Sequence, residues 1–320
     1  WKSNDKSSSF FITFYSIMLP KTFFIFLTLS LISYACASNE QISKSINENC
    51  DAGGLLSNNS LYTISVDGVD RNFMTSVPES EKGTLLPILM AFHGGGDVKS
   101  FSYPPFPQSQ QFLELAQSEK FILVYPFSKL LESNEGAWQL NTTEETQQDI
   151  KFIQAIIENI SSSNCVDENK IYATGYSLGS MFTYELACHM SDTFAAIASF
   201  AGTMPKNPNS CVLENEIPIM HIHGTDDFII SYQNEWDWKN WDSIGTMKNI
   251  PDLVDYWSTK NQCSAYEETT GKFSTHFIYS DCDRDVKVEH YKLLGQGHGW
   301  PEEIEGTSTH QVIWDFLKAF

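Results

Sequence analysis

Basic residues are scarce in this sequence of 320 residues: 20 Lys and Arg stand against 40 Asp and Glu, a formal net charge of −20. Such an excess of negative charge repels nucleic acid and anionic lipid surfaces, so neutral or uncharged partners are expected, with no nucleic acid and no stable membrane association. Also missing are an internal repeat, a long Gly, Ser or Pro linker and any C-x-x-C pair among the seven cysteines. These absences weigh against a solenoid, a tethered second module, and a zinc or redox site. No metal or cofactor is called for. An apolar run from Phe23 to Tyr34 is too short to span a bilayer comfortably.

That run has the layout of a signal peptide. It is preceded by Met18 and Lys21 and followed by Ala35-Cys36-Ala37, small residues that suit cleavage after Ala37. The expected organisation is therefore a leader over residues 1–17, a signal peptide over 18–37 and one catalytic domain over 38–320. Secretion into an oxidising compartment would favour disulfides among Cys50, Cys165, Cys188, Cys211, Cys263 and Cys282. Six cysteines allow fifteen connectivities; local bridges 188–211 and 263–282, leaving 50–165, are the expected set. Asn58, Asn141 and Asn159 each begin an N-x-S/T sequon compatible with glycosylation.

From residue 61 onward the pattern alternates. Leu61–Val66 and Arg71–Val77 read as strands joined through Asp67-Gly68, a tight-hairpin signal. Apolar strands follow at Ile88–Phe92, Phe121–Tyr125, Ile171–Thr174, Ala195–Phe200, Ile217–Ile222 and Val288–Leu294. Helical spacing recurs between them: Ile150, Ile153, Ile156, Ile157 and Ile160 share one face, as do Val312, Ile313, Phe316, Leu317 and Phe320 near the chain end. Strands alternating with helices imply an α/β protein, a mostly parallel sheet covered on both faces with an antiparallel hairpin at its start. In such sheets ligand sites gather at the carboxyl ends of strands. Asn234–Asp242, carrying Trp236, Trp238 and Trp241, interrupts the pattern and reads as an insertion loop, either solvated or a lid.

Gly175-Tyr176-Ser177-Leu178-Gly179 lies between the strand 171–174 and a helical run from Leu178 to Met190. A bare G-x-S-x-G arises by chance in roughly one chain in ten of this length. Its placement between strand and helix is what the nucleophile elbow requires. A serine hydroxyl needs a base to take its proton, and the base needs a carboxylate to orient it. Asp227 and His298 supply these, each just past a strand; Asp226, beside Asp227, is the competing acid. His221 and His223 are expected as structural histidines, and His189, His276, His290 and His310 lack a glycine-rich setting. His93-Gly94-Gly95-Gly96 follows a strand and matches an oxyanion loop, with the N–H groups of Gly95 and Leu178 as donors.

Taken in order, Cys165-Val166-Asp167, Gly175–Ser180, Phe194–Ala198, Gly202, His223-Gly224-Thr225-Asp226-Asp227 and Gly297–Pro301 resemble the polyhydroxybutyrate depolymerase-like and feruloyl esterase group of the α/β-hydrolase superfamily. The resemblance spans about Cys50 to Phe320. It implies the triad Ser177, Asp227 and His298, and a secreted serine esterase acting on feruloyl esters of plant cell-wall polysaccharide or on small esters. A polyester depolymerase, an acetyl xylan esterase and a catalytically inactive binding protein on the same fold are the alternatives. Gln296 departs from the group's glycine-rich pattern around the histidine. For an aromatic acyl group, Trp300 and Trp138 are the candidate wall residues.

Overall fold

Hydrophobic alternation in the hairpin residues and continuous apolar runs further along produce one ten-stranded sheet in the computed structural model. The structure describes residues 60–320 apart from 82, 96–105, 107–108, 131–135 and 238–243. The leader and signal segments, Cys50, Asn58, Gly96, Trp238 and Trp241 therefore lie outside the described residues.

Strands β1 (Ser60–Val66) and β2 (Val69–Ser76) form the expected hairpin. Asp67 and Gly68 both have positive φ, as a two-residue turn of this twist demands. Next come β3 (Leu86–Phe92), β4 (Ile122–Pro126), β5 (Val166–Tyr176), β6 (Ala196–Phe200) and β7 (Ile219–Gly224). The last three are β8 (Ala265–Thr270), β9 (Ser274–Ser280) and β10 (Val288–Leu293). Their order across the sheet is β1-β2-β4-β3-β5-β6-β7-β10-β9-β8. The six central strands from β4 to β10 run parallel, and both margins are antiparallel.

Among the described residues five α-helices cover the sheet: α1 (Ser109–Glu119), α2 (Gln148–Ser163), α3 (Leu178–His189), α4 (Ile250–Lys260) and α5 (Thr309–Leu317). One core gathers Ile153, Ile156, Phe182, Leu253 and Trp257 with Ile88, Met90 and Ile219; the other gathers Phe112, Leu115, Ile313 and Trp314 with Leu89, Leu123 and Ile222. Strand alternation separates them, since Leu89 faces one layer and Ile88 and Met90 the other. The helices at 148–163 and 309–317 match the reading of their apolar stripes. Among elements it did not name, β8 is exposed along its whole length. An edge strand wetted on both faces carries no alternation to find.

Cys188–Cys211 and Cys263–Cys282 are bonded as expected. Cys165 is also disulfide-bonded. Of the sequons, Asn159 is exposed on α2. Asn141 is part-buried: its amide nitrogen donates to the Ile244 carbonyl and its oxygen accepts from the Asn209 N–H.

Candidate active site

Four parallel strands end at the same place. β3 runs into His93-Gly94-Gly95, β5 into Ser177, β7 into the turn holding Asp227, and β10 into the loop holding His298.

Ser177 occupies φ 53°, ψ −119° at the junction of β5 and α3. L-residues avoid this region, and the turn persists because its surroundings over-determine it. The Ser177 N–H is held by the Phe200 carbonyl at 2.9 Å and its own carbonyl accepts from Met181. Glycine is required on both sides: a Cβ at Gly175 would lie 2.3 Å from the Gly179 carbonyl oxygen, and one at Gly179 2.1 Å from that of Phe92. The elbow's glycines thus have the steric reason expected of them.

His298 Nε2 is 2.9 Å from Ser177 Oγ, and His298 Nδ1 is 2.7 Å from Asp227 Oδ2. The carboxylate is saturated with donors. Oδ1 accepts the N–H groups of Ile229 and Ile230, and Oδ2 is also 3.2 Å from His223 Nε2. Burial alone would raise the pKa of Asp227, but the hydrogen bonds from His223, His298 and Ile230, with the charge attraction of His298, outweigh it and hold the carboxyl well below the usual range. The Asp226 carboxylate is exposed and, among the described residues, accepts only from its neighbour Thr225. The geometry therefore separates the two aspartates that the sequence left adjacent.

The His298 loop is pinned from several sides. Tyr176 Oη donates to the His298 carbonyl at 2.9 Å. Gln296, which departs from the expected glycine, accepts the Asp226 N–H through its carbonyl and bonds Gly299 through its side chain. A Cβ at Gly224 would come within 2.1 Å of that Gln296 carbonyl, so the loop packs directly on the end of β7. Tyr176 was missed in the sequence because it is an unconstrained position of the G-x-S-x-G pattern.

His93 shapes the glycine loop. Its Nε2 accepts the Ser128 N–H at 3.1 Å, so Nδ1 carries the proton and donates to the Gly94 carbonyl at 2.7 Å. Burial drives its pKa down to about 4, against the opposing effect of the Gly94 bond, so the ring stays neutral. With the Gly94 carbonyl drawn to His93, the trans peptide turns the Gly95 N–H the other way. Leu178, the first residue of α3, presents one of the N–H groups a helix start leaves unpaired. Among the described residues neither N–H is taken up by another group.

Neither candidate wall tryptophan is an open platform. Trp138 is 1% exposed, stacks on Phe182 at 4.8 Å and donates its indole N–H to the His93 carbonyl, so it braces the glycine loop from behind. Trp300 is half-buried among Phe106, Phe112, Tyr176 and Phe200 and anchors the His298 loop. A cavity of about 520 Å³ is lined by Leu130, Ala137, Trp138, Leu140, Asn209 and Ile244 among others, with none of Gly95, Ser177, Leu178 or His298 in its lining. Its wall is fixed by buried Glu185, which accepts the N–H groups of Asn141 and Thr142. Of the tryptophan loop, Trp236 and Asp237 pair with Met247 and Thr246 in a short ribbon.

Residues 132–240 match the Dienelactone hydrolase family model. The chain is 28% identical over 235 residues to the bifunctional acetylxylan esterase/xylanase XynS20E of Neocallimastix patriciarum, covering 73% of this chain and 31% of that protein. It is 26% identical over 187 residues to feruloyl esterase B of Piromyces equi, covering 58% of this chain and 34% of that one. The chain thus matches about a third of each relative's length. Among solved structures, an acetyl xylan esterase from Aspergillus awamori superposes with a TM-score of 0.56 at 14% identity, over 81% of this chain and 99% of that one.

The chain has the α/β-hydrolase fold.

The sheet has the expected parallel centre, with β8 and β9 extending it beyond β10. Among the described residues no helix is long and apolar enough to cross a membrane, and no group of three or more His, Cys, Asp or Glu is arranged to hold a metal ion.

Proposed function

We propose that this chain is a secreted serine esterase that cleaves carboxylic esters through an acyl-enzyme. The observation that carries the reading is the unbroken hydrogen-bond line Ser177 Oγ, His298 Nε2, His298 Nδ1, Asp227 Oδ2. Asp227 fixes His298 with its proton on Nδ1, leaving Nε2 free to accept the Ser177 proton as Oγ attacks the ester carbonyl. The N–H groups of Gly95 and Leu178, at the positive end of α3, receive the developing oxyanion. His298 returns the proton to the departing alcohol; it then takes one from water, whose oxygen attacks the acyl-enzyme and releases the acid with Ser177 restored.

The substrate class is a feruloyl or related ester of plant cell-wall polysaccharide. The feruloyl esterase among the relatives supports it. Acetylated xylan is the second reading, favoured by the acetylxylan esterase relative. The disulfides at 188–211 and 263–282 support an oxidising destination. Steady-state rates on methyl ferulate, p-nitrophenyl acetate, p-nitrophenyl butyrate, acetylated xylan and polyhydroxybutyrate test the reading. The expected result is the highest kcat/KM on methyl ferulate; a preference for acetylated xylan would select the second reading, and no turnover of any ester would refute both.

A further inference from the structure

Alternation along β7 puts His221 and His223 on one face of the strand, toward α3, while Met220 and Ile222 face the opposite core. Both histidines are buried, with exposures of 1% and 0%. Every nitrogen on them is spoken for, and the partners fix which atom carries each proton. His223 Nε2 faces two acceptors, Asp227 Oδ2 at 3.2 Å and the Ile230 carbonyl at 2.9 Å, so it must be the N–H. With the proton on Nε2, Nδ1 accepts from His221 Nε2, 3.1 Å away. That makes His221 Nδ1 an acceptor in turn, filled by Tyr184 Oη at 2.7 Å. Burial and the neighbouring His223 and His290 keep His221 from protonating, so one of its ring nitrogens stays an acceptor. The alternative tautomer of either ring would set two lone pairs or two protons face to face in a dry core. Behind them His290 closes the set, donating from Nδ1 to the His221 carbonyl and accepting the Tyr232 hydroxyl on Nε2.

We infer that His223 is a positioning residue of the active site, a second imidazole that holds Asp227 Oδ2 toward His298, with its own proton direction dictated from α3 by Tyr184 through His221. The inference rests on the triad reading above. It assigns His223 no proton transfer: its N–H remains a donor throughout the cycle. Without it, Oδ2 would keep His298 as its one strong donor and the Ile230 carbonyl would lose its partner in the interior. The carboxylate could then turn about Oδ1, which the Ile229 and Ile230 N–H groups anchor. A charge-assisted hydrogen bond of this kind is expected to govern roughly ten- to a hundredfold in rate.

Three variants test it, each normalised to folded enzyme by titrating Ser177 with a fluorophosphonate. His223→Gln places an amide N–H near the Nε2 position; His223→Asn places one near Nδ1, out of reach of Asp227; His223→Leu removes the donor. With p-nitrophenyl acetate, Leu and Asn should lower kcat ten- to a hundredfold at unchanged KM, while Gln stays within about threefold of the parent. A residue that only supports folding would not give this split, because Gln and Asn are alike in polarity. Parent-like kcat in Leu or Asn, or Gln as impaired as Leu, would overturn the inference. Should Leu fail to fold, the contrast between Gln and Asn decides. If the parent enzyme itself takes no label on Ser177, the triad reading falls; a labelled parent with uniform variants removes only the role of His223.

Discussion

Replacing Asp227 with Asn changes one atom and little volume, yet the surroundings dictate where that atom goes. The Oδ1 position accepts two backbone N–H groups, from Ile229 and Ile230 at 2.9 and 2.8 Å. Those bonds hold the amide oxygen there and place the new NH₂ at the Oδ2 position, against His298 Nδ1 and His223 Nε2. Donor then meets donor. His298 can relieve the clash by moving its proton to Nε2, where it faces Ser177 Oγ and can no longer accept the serine proton. In serine hydrolases with this arrangement the same change costs about 10⁴ in kcat, equivalent to about 5.5 kcal/mol of barrier. For this chain kcat on p-nitrophenyl acetate should fall three to four orders of magnitude, with near-parent circular dichroism. Asp226→Asn should stay within about twofold, since an exposed turn residue seldom changes the energetics more. A loss at Asp226 larger than at Asp227, or more than a tenth of parent activity in Asp227→Asn, would refute the assignment.

Ser177→Ala should fold, lose measurable ester hydrolysis and take no fluorophosphonate label, whereas Ser177→Gly should be more stable than Ser177→Ala by about 1 kcal/mol in chemical denaturation, because glycine relieves the positive φ. Trp300→Ala should lower kcat/KM on methyl ferulate and p-nitrophenyl acetate by similar factors and destabilise by about 2 to 3 kcal/mol, as expected of a loop anchor packed among four aromatic rings; a selective loss on methyl ferulate would instead restore Trp300 as an acyl-group contact. Stability should fall as pH drops below about 6.5, the unfolded histidine value. Burial depresses the folded pKa of His93 to about 4, of His290 to about 3 and of His221 well below its ordinary value, so the unfolded chain binds these protons first. The slope between about pH 6 and 4 approaches ~4 kcal/mol per pH unit for the three together. A denaturation midpoint flat over that window would contradict neutral buried rings.

Local chemistry was legible in the sequence wherever one residue type answers one steric or electronic demand. The glycines around Ser177 were readable because any side chain there would strike backbone, and Asp67-Gly68 because few residues tolerate positive φ in succession. The central strands and two helices announced themselves through apolar runs and three- to four-residue spacing, since both faces of the sheet are buried. Chain order placed Ser177, Asp227 and His298 beyond strand ends, and the shared C-terminal edge of a parallel sheet brings such positions together. Tertiary packing decided the rest. Asp226 and Asp227 differ only in which side of the turn faces His298. Trp138 and Trp300 read equally well as substrate walls or as packing, because an indole ring satisfies either, and only their neighbours show Trp138 enclosed and Trp300 half-buried among other rings. His221 and His223 looked like ordinary strand histidines; their partners Tyr184 and Asp227 come from a helix and a turn that the sequence does not place beside them. Sequence fixes which groups are present and along which local path they run, while distances between groups remote in the chain, and hence proton positions, are set only when the layers pack.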